Sequence, residues 1–552
     1  METNLSLRKE NIMAFLKVYT REATGDKYPQ SLAGSIHFAF SEDGKEYTAL
    51  NSNYGVLFAL AQLREDNTID AKDLREPKIY KGEGVYHIFA EKCNQDGTLC
   101  REDKVLMWTT TDFVSFGEQE YVSREQYQQE ISGAQEVIEI SDVMLSDIKD
   151  RWYSIYSVSA QVPENITLAD MAELEKVQAI VTYSDGSTDE KKVNWDTEGI
   201  TKTDKGTYKV KGEIVSKPIV FPMAVGLADP VLFKWEGSWY FIATNDNLDD
   251  IGLYVRKADT VDGLFAEGIE TRCILDYDEE KGFIQTFWAP EFHVIGGELY
   301  ILFAVGGKQW APQCHMMKLK KGGEIMNPGD WETPVRVLRQ DGSFLTENGI
   351  TLDMTYFKVK DTSYLAWSYR YGIGSPLDTG SMLYIATTDE KTPWVLTSEP
   401  VLLSRPLFGW ENTQGTINNE GPYPLLLDDK VYLAYSGGAA CGYSYAVGYL
   451  TASAEDDLLQ VENWTKEPSP LLCSTYIDGI DGPGHNSFFV DEEGKIIIAY
   501  HAQETDKYFK RCSTMHRVHI GKKGFPFLNM SAERDLAERL KKVELEVEIS
   551  AH

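Results

Sequence analysis

Residues 228–245 read ADPVLFKWEGSWYFIATN. Two apolar runs flank Glu236-Gly237, and such a break between strand-forming runs predicts a β-hairpin. A third run, IGLYVRKA, follows at 251–258. The plan then returns four times. Trp288-Ala289-Pro290-Glu291 leads to GELYILFAV, and Leu352-Asp353-Met354 leads to TSYLAWSYR. Glu420-Gly421-Pro422 leads to KVYLAYSGG, and Gly482-Pro483-Gly484-His485 leads to GKIIIAYHA. With Asp229, Glu291, Asp353, Glu420 and His485 as markers, the spacings are 62, 62, 67 and 65 residues. That period, with several strands per unit and little helical pattern, predicts propeller blades, one per repeat. The fold class is therefore all-β, with a five-bladed β-propeller at its heart. The markers open the innermost strands, so they are expected to converge at one mouth of the central channel.

Outward from the repeat the pattern weakens. In about residues 12–155, SIHFAFSEDGKEYTALN reads as a hairpin. Leu74-Arg75-Glu76-Pro77, leading to GVYHIFAEK and VLMWTTTDFVSF, reads as one more blade. About two blade-like units are too few to close a ring. Residues 165–216 differ, with short alternating strands between Ser-Asp-Gly and Lys-Gly turns. They resemble small bacterial immunoglobulin-like modules, most clearly at Tyr183, Gly186, Trp195, Gly206 and Tyr208. Near the end KKVELEVEI (541–549) alternates apolar and charged residues, which predicts a half-buried strand. It is expected to return toward the N-terminal region. The expected organisation is thus 1–160 partial propeller, 165–216 immunoglobulin-like module, 220–530 propeller and 531–552 C-terminal tail.

Charge narrows the function. The 552 residues hold 54 Lys and Arg against 86 Asp and Glu, a net charge of −32. Nucleic-acid binding needs a positive field, and so does docking on anionic membranes. Neither nucleic acid nor membrane is an expected partner. No run approaches the length of a membrane-spanning helix. Seven cysteines, widely spaced and odd in number, suit a reduced compartment. METNLSLRKENIMAFLKVYTRE lacks the pattern of a secretory leader. A cytoplasmic location is therefore expected, or a secreted one if a leader has been removed.

The markers carry chemistry. Hydrolysis of a glycosidic bond needs one carboxyl to protonate the leaving oxygen and another to activate water or attack carbon. A carboxylic acid stays protonated near neutral pH only where burial or a neighbouring carboxylate raises its pKa. Several acids at one mouth can divide that labour.

The set resembles glycoside hydrolase family 43, a family of five-bladed propellers, over about residues 220–525. ADP at 228–230, WAPE at 288–291, LDMTYF at 352–357, NEGPYPL at 419–425 and GPGHNS at 482–487 carry the likeness. The resemblance implies Asp229 as general base, Glu420 as general acid and Asp353 as the residue that raises and orients the acid. It implies inversion, with base and acid carboxyls about 6.5–9.5 Å apart. Glu291 would anchor its blade or a substrate hydroxyl. His485 would help to hold a structural Ca²⁺ or a water beneath the sugar, or pack as a hydrogen-bonded histidine. Trp288 and Phe287 would stack on the sugar or pack between blades. Arg511 matches an arginine that reaches the pocket, against a surface ion pair as the alternative. No cofactor is required. Glu76 stands where the family's base would be Asp, and no acid motif follows it, which marks the first half as non-catalytic.

The resemblance narrows the substrate to oligosaccharides. The stretch KRCSTMHRVHIGKKGFPFLNMSAERDL is closest to the arabinofuranosidase branch. Exo-acting release of terminal α-L-arabinofuranose is the expectation, with β-D-xylosidase second. A carbohydrate-binding propeller without activity is the reading from another class; the intact acid set argues against it. Fructan-cleaving propellers open on Asn-Asp-Pro-Asn, which is missing here.

Overall fold

The computed structural model describes residues 12–100, 102–198, 205–413, 416–504 and 507–550. Residues 1–11, which open the stretch read for a leader, lie outside these. The chain forms two compact units, each built from two pieces: Met1–Asp142 with Val220–Met515, and Val143–Ile219 with His516–His552.

The first unit contains the propeller. Blade one is Leu227–Trp235, Ser238–Asn245, Leu253–Ala258 and Thr271–Leu275, hydrogen-bonded in that order. Blades two, three and four repeat the meander from Gln285–Ile295, Ile350–Val359 and Asn419–Leu427. Glu236 and Gly237 both take positive φ, as the tight turn of a two-residue hairpin requires. Blade five is Ile480–Val490, Ile496–Glu504 and Lys507–Arg517, and its fourth strand is Ala224–Val225, from the start of the domain. Each innermost strand packs on the next, and the fifth returns to the first. This is the five-bladed ring that the repeat predicts. Aromatic and aliphatic side chains fill the joints: Phe287, Phe292, Ile301 and Phe303 lie in one core with Ile242 and Val255. Full burial of each contributes about 1.5–3 kcal/mol.

All five innermost strands share one irregularity. Register shifts fall between Ala228/Val231, Trp288/Glu291, Leu352/Thr355, Glu420/Tyr423 and Gly484/Ser487. The residues inside the bulges, Asp229, Ala289, Asp353, Gly421 and His485, all take φ between 47° and 57°. A bulge adds a residue and re-aims the side chains around it. It also shows that the markers read from sequence are not equivalent positions. Asp229, Asp353 and His485 share one place; Glu420 precedes it by one and Glu291 follows it by two.

The bulges are tied blade to blade. Ala289 N–H donates to Thr244 Oγ1 of blade one at 2.8 Å. Gly421 N–H donates to Asp353 Oδ2 at 3.1 Å, and His485 N–H to Ser436 Oγ at 2.7 Å. Asp229 N–H donates to His501 Nδ1 of blade five at 3.3 Å. Thr244 and Ser436 thus accept from the next blade's bulge.

The N-terminal sequence builds one further four-stranded meander, Lys72–Lys81, Tyr86–Asn94, Lys104–Thr110 and Glu120–Ser123. It has the same bulge between Arg75 and Lys78, with Glu76 at φ 52°. A second sheet, in the order Val137–Ser141, Ile12–Tyr19, His37–Ser41 and Thr48–Ala49, completes the region. The connections around these strands, at Ser31, Gly55 and Ala61, dock on loops that lead into blades four and five. Ala61 N–H donates to Leu407 O at 2.8 Å, Ser31 Oγ to Thr413 Oγ1 at 2.7 Å and Ser469 Oγ to Gly55 O at 2.8 Å.

In the second unit, Ser157–Gln161, Ala179–Tyr183 and Thr188–Lys191 form one sheet. Asn165–Leu168, Lys542–Ile549, Gly206–Ile214 and Val193–Asp196 form the other. Lys542–Ile549 does not return to the N-terminal region: it pairs antiparallel with Gly206–Ile214 and parallel with Asn165–Leu168. Leu545, Val547 and Ile549 bury themselves against Leu168, Leu174 and Val210. Alternation specifies a half-buried strand but not the sheet that receives it.

Candidate active site

Asp229 lies at the start of the first innermost strand with 4% of its surface exposed. Thr244 Oγ1 donates to its Oδ2 at 2.6 Å. Its Oδ1 lies 3.0 Å from His501 Nδ1, 3.3 Å from His485 Nδ1 and 3.3 Å from Arg511 Nη1. Burial alone would raise its pKa; His485, Arg511 and His501 overcome burial and hold the carboxyl well below the usual range. Arg511 is the permanent charge among them. Burial lowers His485 to about 4, with the Asp229 charge opposing that fall. Asp246 grips Arg511 from the other side, with Nε and Nη2 at 3.1 and 2.6 Å.

Asp353 is 2% exposed, and its Oδ2 accepts from Gly421 N–H at 3.1 Å and from Ser368 Oγ at 3.4 Å. Burial, then the charges of Glu420 and Asp229, push it well above the carboxylate range. Glu420 is partly exposed, and Tyr445 donates its hydroxyl hydrogen to Oε1 at 2.9 Å. Burial raises it to about 7, with Asp229 adding to the rise and Tyr445, Arg370 and Arg511 opposing it. Three carboxyls therefore stand close enough to perturb one another, with opposed shifts. That opposition separates a base from an acid.

The other residues read from sequence divide. Arg511 and His485 contact Asp229 directly. Trp288 is half-buried, and its indole N–H donates to Asp250 Oδ2 at 2.7 Å. Phe287 is fully buried in the core between blades one and two. Glu291 pairs with His293 Nε2 at 2.6 Å and is 3% exposed, so it anchors its own strand. His485 has a carboxylate neighbour, but no group of three His, Cys, Asp or Glu among the described residues is placed to hold a metal ion. A calcium cage needs six or more oxygens. Glu76, in the N-terminal blade, is exposed.

Sequence reasoning missed Thr244, Asp246, His501 and Tyr445. Three of these had a signal. Thr244, Ser368, Ser436 and His501 all pair with the residue just before a bulge, in FIAT, LAWS, LAYS and IAYH. Aligning the second strands would have exposed a polar position inside an apolar run. Asp246 follows two residues later. Tyr445 comes from the loop before the third strand of blade four and has no repeat partner.

Comparison with known proteins agrees with this geometry. The family model described as glycosyl hydrolases family 43 matches residues 219–526, and that for a bacterial Ig-like domain (group 4) matches 176–216. An extracellular exo-alpha-(1->5)-L-arabinofuranosidase from Streptomyces avermitilis is 36% identical over 283 residues, covering 51% of this chain and 55% of that protein. Its namesake from Streptomyces chartreusis is 32% identical over 291 residues, covering 52% and 83%. The chain thus spans about half the length of the first of these relatives. Among solved structures, an α-L-arabinofuranosidase from Lactobacillus brevis is 28% identical with a TM-score of 0.49, covering 56% of this chain and 95% of that one.

Both Streptomyces proteins are named extracellular, which overturns the expectation of a cytoplasmic location. The cysteine argument behind it was weak for a physical reason. Cys93, Cys314, Cys473 and Cys512 are buried, and a buried thiol is shielded from oxidants in either compartment. With the family match spanning more than half of its residues, and all five motifs standing on one propeller, this chain belongs to glycosyl hydrolases family 43.

Proposed function

We propose that this chain is an exo-acting, inverting α-L-arabinofuranosidase that acts on arabinan- or arabinoxylan-derived oligosaccharides. The observation that carries the reading is the placement of Asp229 against Arg511 and of Glu420 under the Tyr445 hydroxyl in one site. Asp229, ionised beside Arg511, takes a proton from water as the water attacks the anomeric carbon. Glu420, protonated at the start of turnover, gives its proton to the leaving oxygen as the glycosidic bond breaks. Asp229 ends protonated and Glu420 ionised, and exchange with solvent restores both. Asp353 accepts the Gly421 N–H that follows the acid and so fixes the backbone that carries it. Trp288, tethered by Asp250, offers its ring face to the sugar. The chemistry needs only carboxyls and water.

Two facts support the substrate and mode. The Streptomyces relatives are named exo-arabinofuranosidases. The N-terminal segments cover loops that enter blades four and five, on the side where the innermost strands begin. A mouth walled on one side suits a chain end better than a chain middle.

Asp229→Ala and Glu420→Ala should each lower turnover of an aryl α-L-arabinofuranoside by roughly 10³-fold or more while the protein stays folded. Near-normal turnover in both would sink the assignment. Proton NMR of the first-formed arabinose should show inversion; retention would contradict the roles. Comparing aryl arabinofuranoside with aryl xyloside separates this reading from β-xylosidase.

A further inference from the structure

We propose that Tyr445 is a positioning residue for the acid, holding Glu420 by Oε1 so that Oε2 delivers the proton to the leaving oxygen. The proposal rests on the acid role of Glu420 given above.

Tyr445 is fully buried, and it is aimed. Its hydroxyl donates to Glu420 Oε1 at 2.9 Å. A protonated carboxyl accepts a hydrogen bond most readily on its carbonyl oxygen, which leaves the other oxygen as the hydroxyl. The bond therefore selects which oxygen carries the proton, and it prevents the carboxyl from rotating.

The tyrosine is itself held by features with no other evident purpose. A Cβ built on Gly484 would stand 2.2 Å from the Tyr445 ring, so Gly484 is a slot for that ring. Gly482, at φ 57°, would drive a Cβ to 2.1 Å from Gly442 O, so it admits the loop that carries Tyr445. The Gly-Pro-Gly of blade five thereby gains a role that the repeat alone does not explain. On its other side the ring stacks on His501, with centroids 5.3 Å apart and planes at 13°. His501 Nδ1 is the atom 3.0 Å from Asp229 Oδ1. One stacked pair thus lies between base and acid.

The charged and titratable groups around Glu420 are Asp229, Asp353, Arg370, Arg511 and Cys441, with the His485 ring against Gly421. Beside them, Tyr445 donates a hydrogen bond to the carboxyl, and a bond to the charged form lowers its pKa. Losing the hydroxyl should therefore move the basic limb of activity upward.

The test compares wild type, Tyr445→Phe and Glu420→Gln on aryl α-L-arabinofuranosides with poor and good leaving groups, phenyl and 2,4-dinitrophenyl. Phe keeps the ring in its slot, so folding should be retained. Tyr445→Phe should lose roughly tenfold in kcat on the phenyl substrate and little on the dinitrophenyl one, which needs no protonation. Its kcat/KM basic limb should rise by about one pH unit. Gly484→Ala, which displaces the ring but keeps the hydroxyl, should show the same dependence on leaving group. Equal losses on both substrates, or an unmoved limb, would overturn the proposal alone, provided Glu420→Gln is inactive on the phenyl substrate. An active Glu420→Gln would overturn the acid reading and the proposal with it.

Discussion

Asp229 and Glu420 have opposite relations to burial. Asp229 sits among an arginine, two histidines and a threonine hydroxyl, so its charge is solvated by the protein. Glu420 has a tyrosine donor and acidic neighbours, so its charge is poorly solvated. Opposite pH effects follow. Asp229, depressed in the fold, stabilises above its unfolded pKa, and that contribution is lost as pH falls through the folded value. Glu420, raised to about 7, makes the fold bind a proton that the unfolded chain releases, so stability falls as pH rises from its unfolded pKa toward 7. Glu420→Gln removes that cost. Calorimetry should show it more stable than wild type by on the order of 1–3 kcal/mol at pH 8, with no gain at pH 4. Equal melting at both pH values would contradict the raised pKa. The basic limb of wild-type kcat/KM should lie near 7 for the same reason.

The elements that set these charges are bulged strands. A plain strand alternates its side chains, and each bulge breaks that alternation at the channel mouth. It turns the carboxyls of Asp229 and Asp353 into positions that a regular ladder would not provide. The ring closes through Ala224–Val225, which pairs with Cys512 and Ser513, and Gly226 N–H donates to Arg511 O at 2.9 Å. Ring closure and the cation beside Asp229 thus meet at Arg511. Gly226 takes φ 69°, and a Cβ there would stand 2.2 Å from Asn247. Gly226→Ala should cost about 1–3 kcal/mol in thermal denaturation and lower kcat through Arg511. Unchanged melting would mean that the closing strand does not need that backbone turn. The strands themselves were plain in the sequence, from paired apolar runs around turns. The bulges were not, because they depend on pairing. Glu291 closes the bulge of blade two, two residues after Ala289, and pairs with His293.

At the scale of the first unit, the N-terminal segments and the propeller are one body. The meander from Lys72 to Ser123 carries the bulge of a blade, yet its Glu76 faces solvent, so the same backbone device is present without a site. Docking rests on close backbone approach: a Cβ on Gly409 would stand 2.6 Å from Ser31 O. Gly409→Val should loosen residues 19–67 at a cost of about 1–3 kcal/mol, read as faster amide exchange in that segment. Exchange at the wild-type rate would argue against a docked wall at the mouth.

By itself the sequence determined the blade count, because each blade repeats paired apolar runs around a turn at a near-constant spacing. Tertiary structure alone decided which neighbours surround Asp229, Asp353 and Glu420. It also decided that Phe287 belongs to the core, that the last strand joins the second unit and that Tyr445 reaches Glu420. Those outcomes depend on burial and on contacts between distant residues, and neither is written in local order.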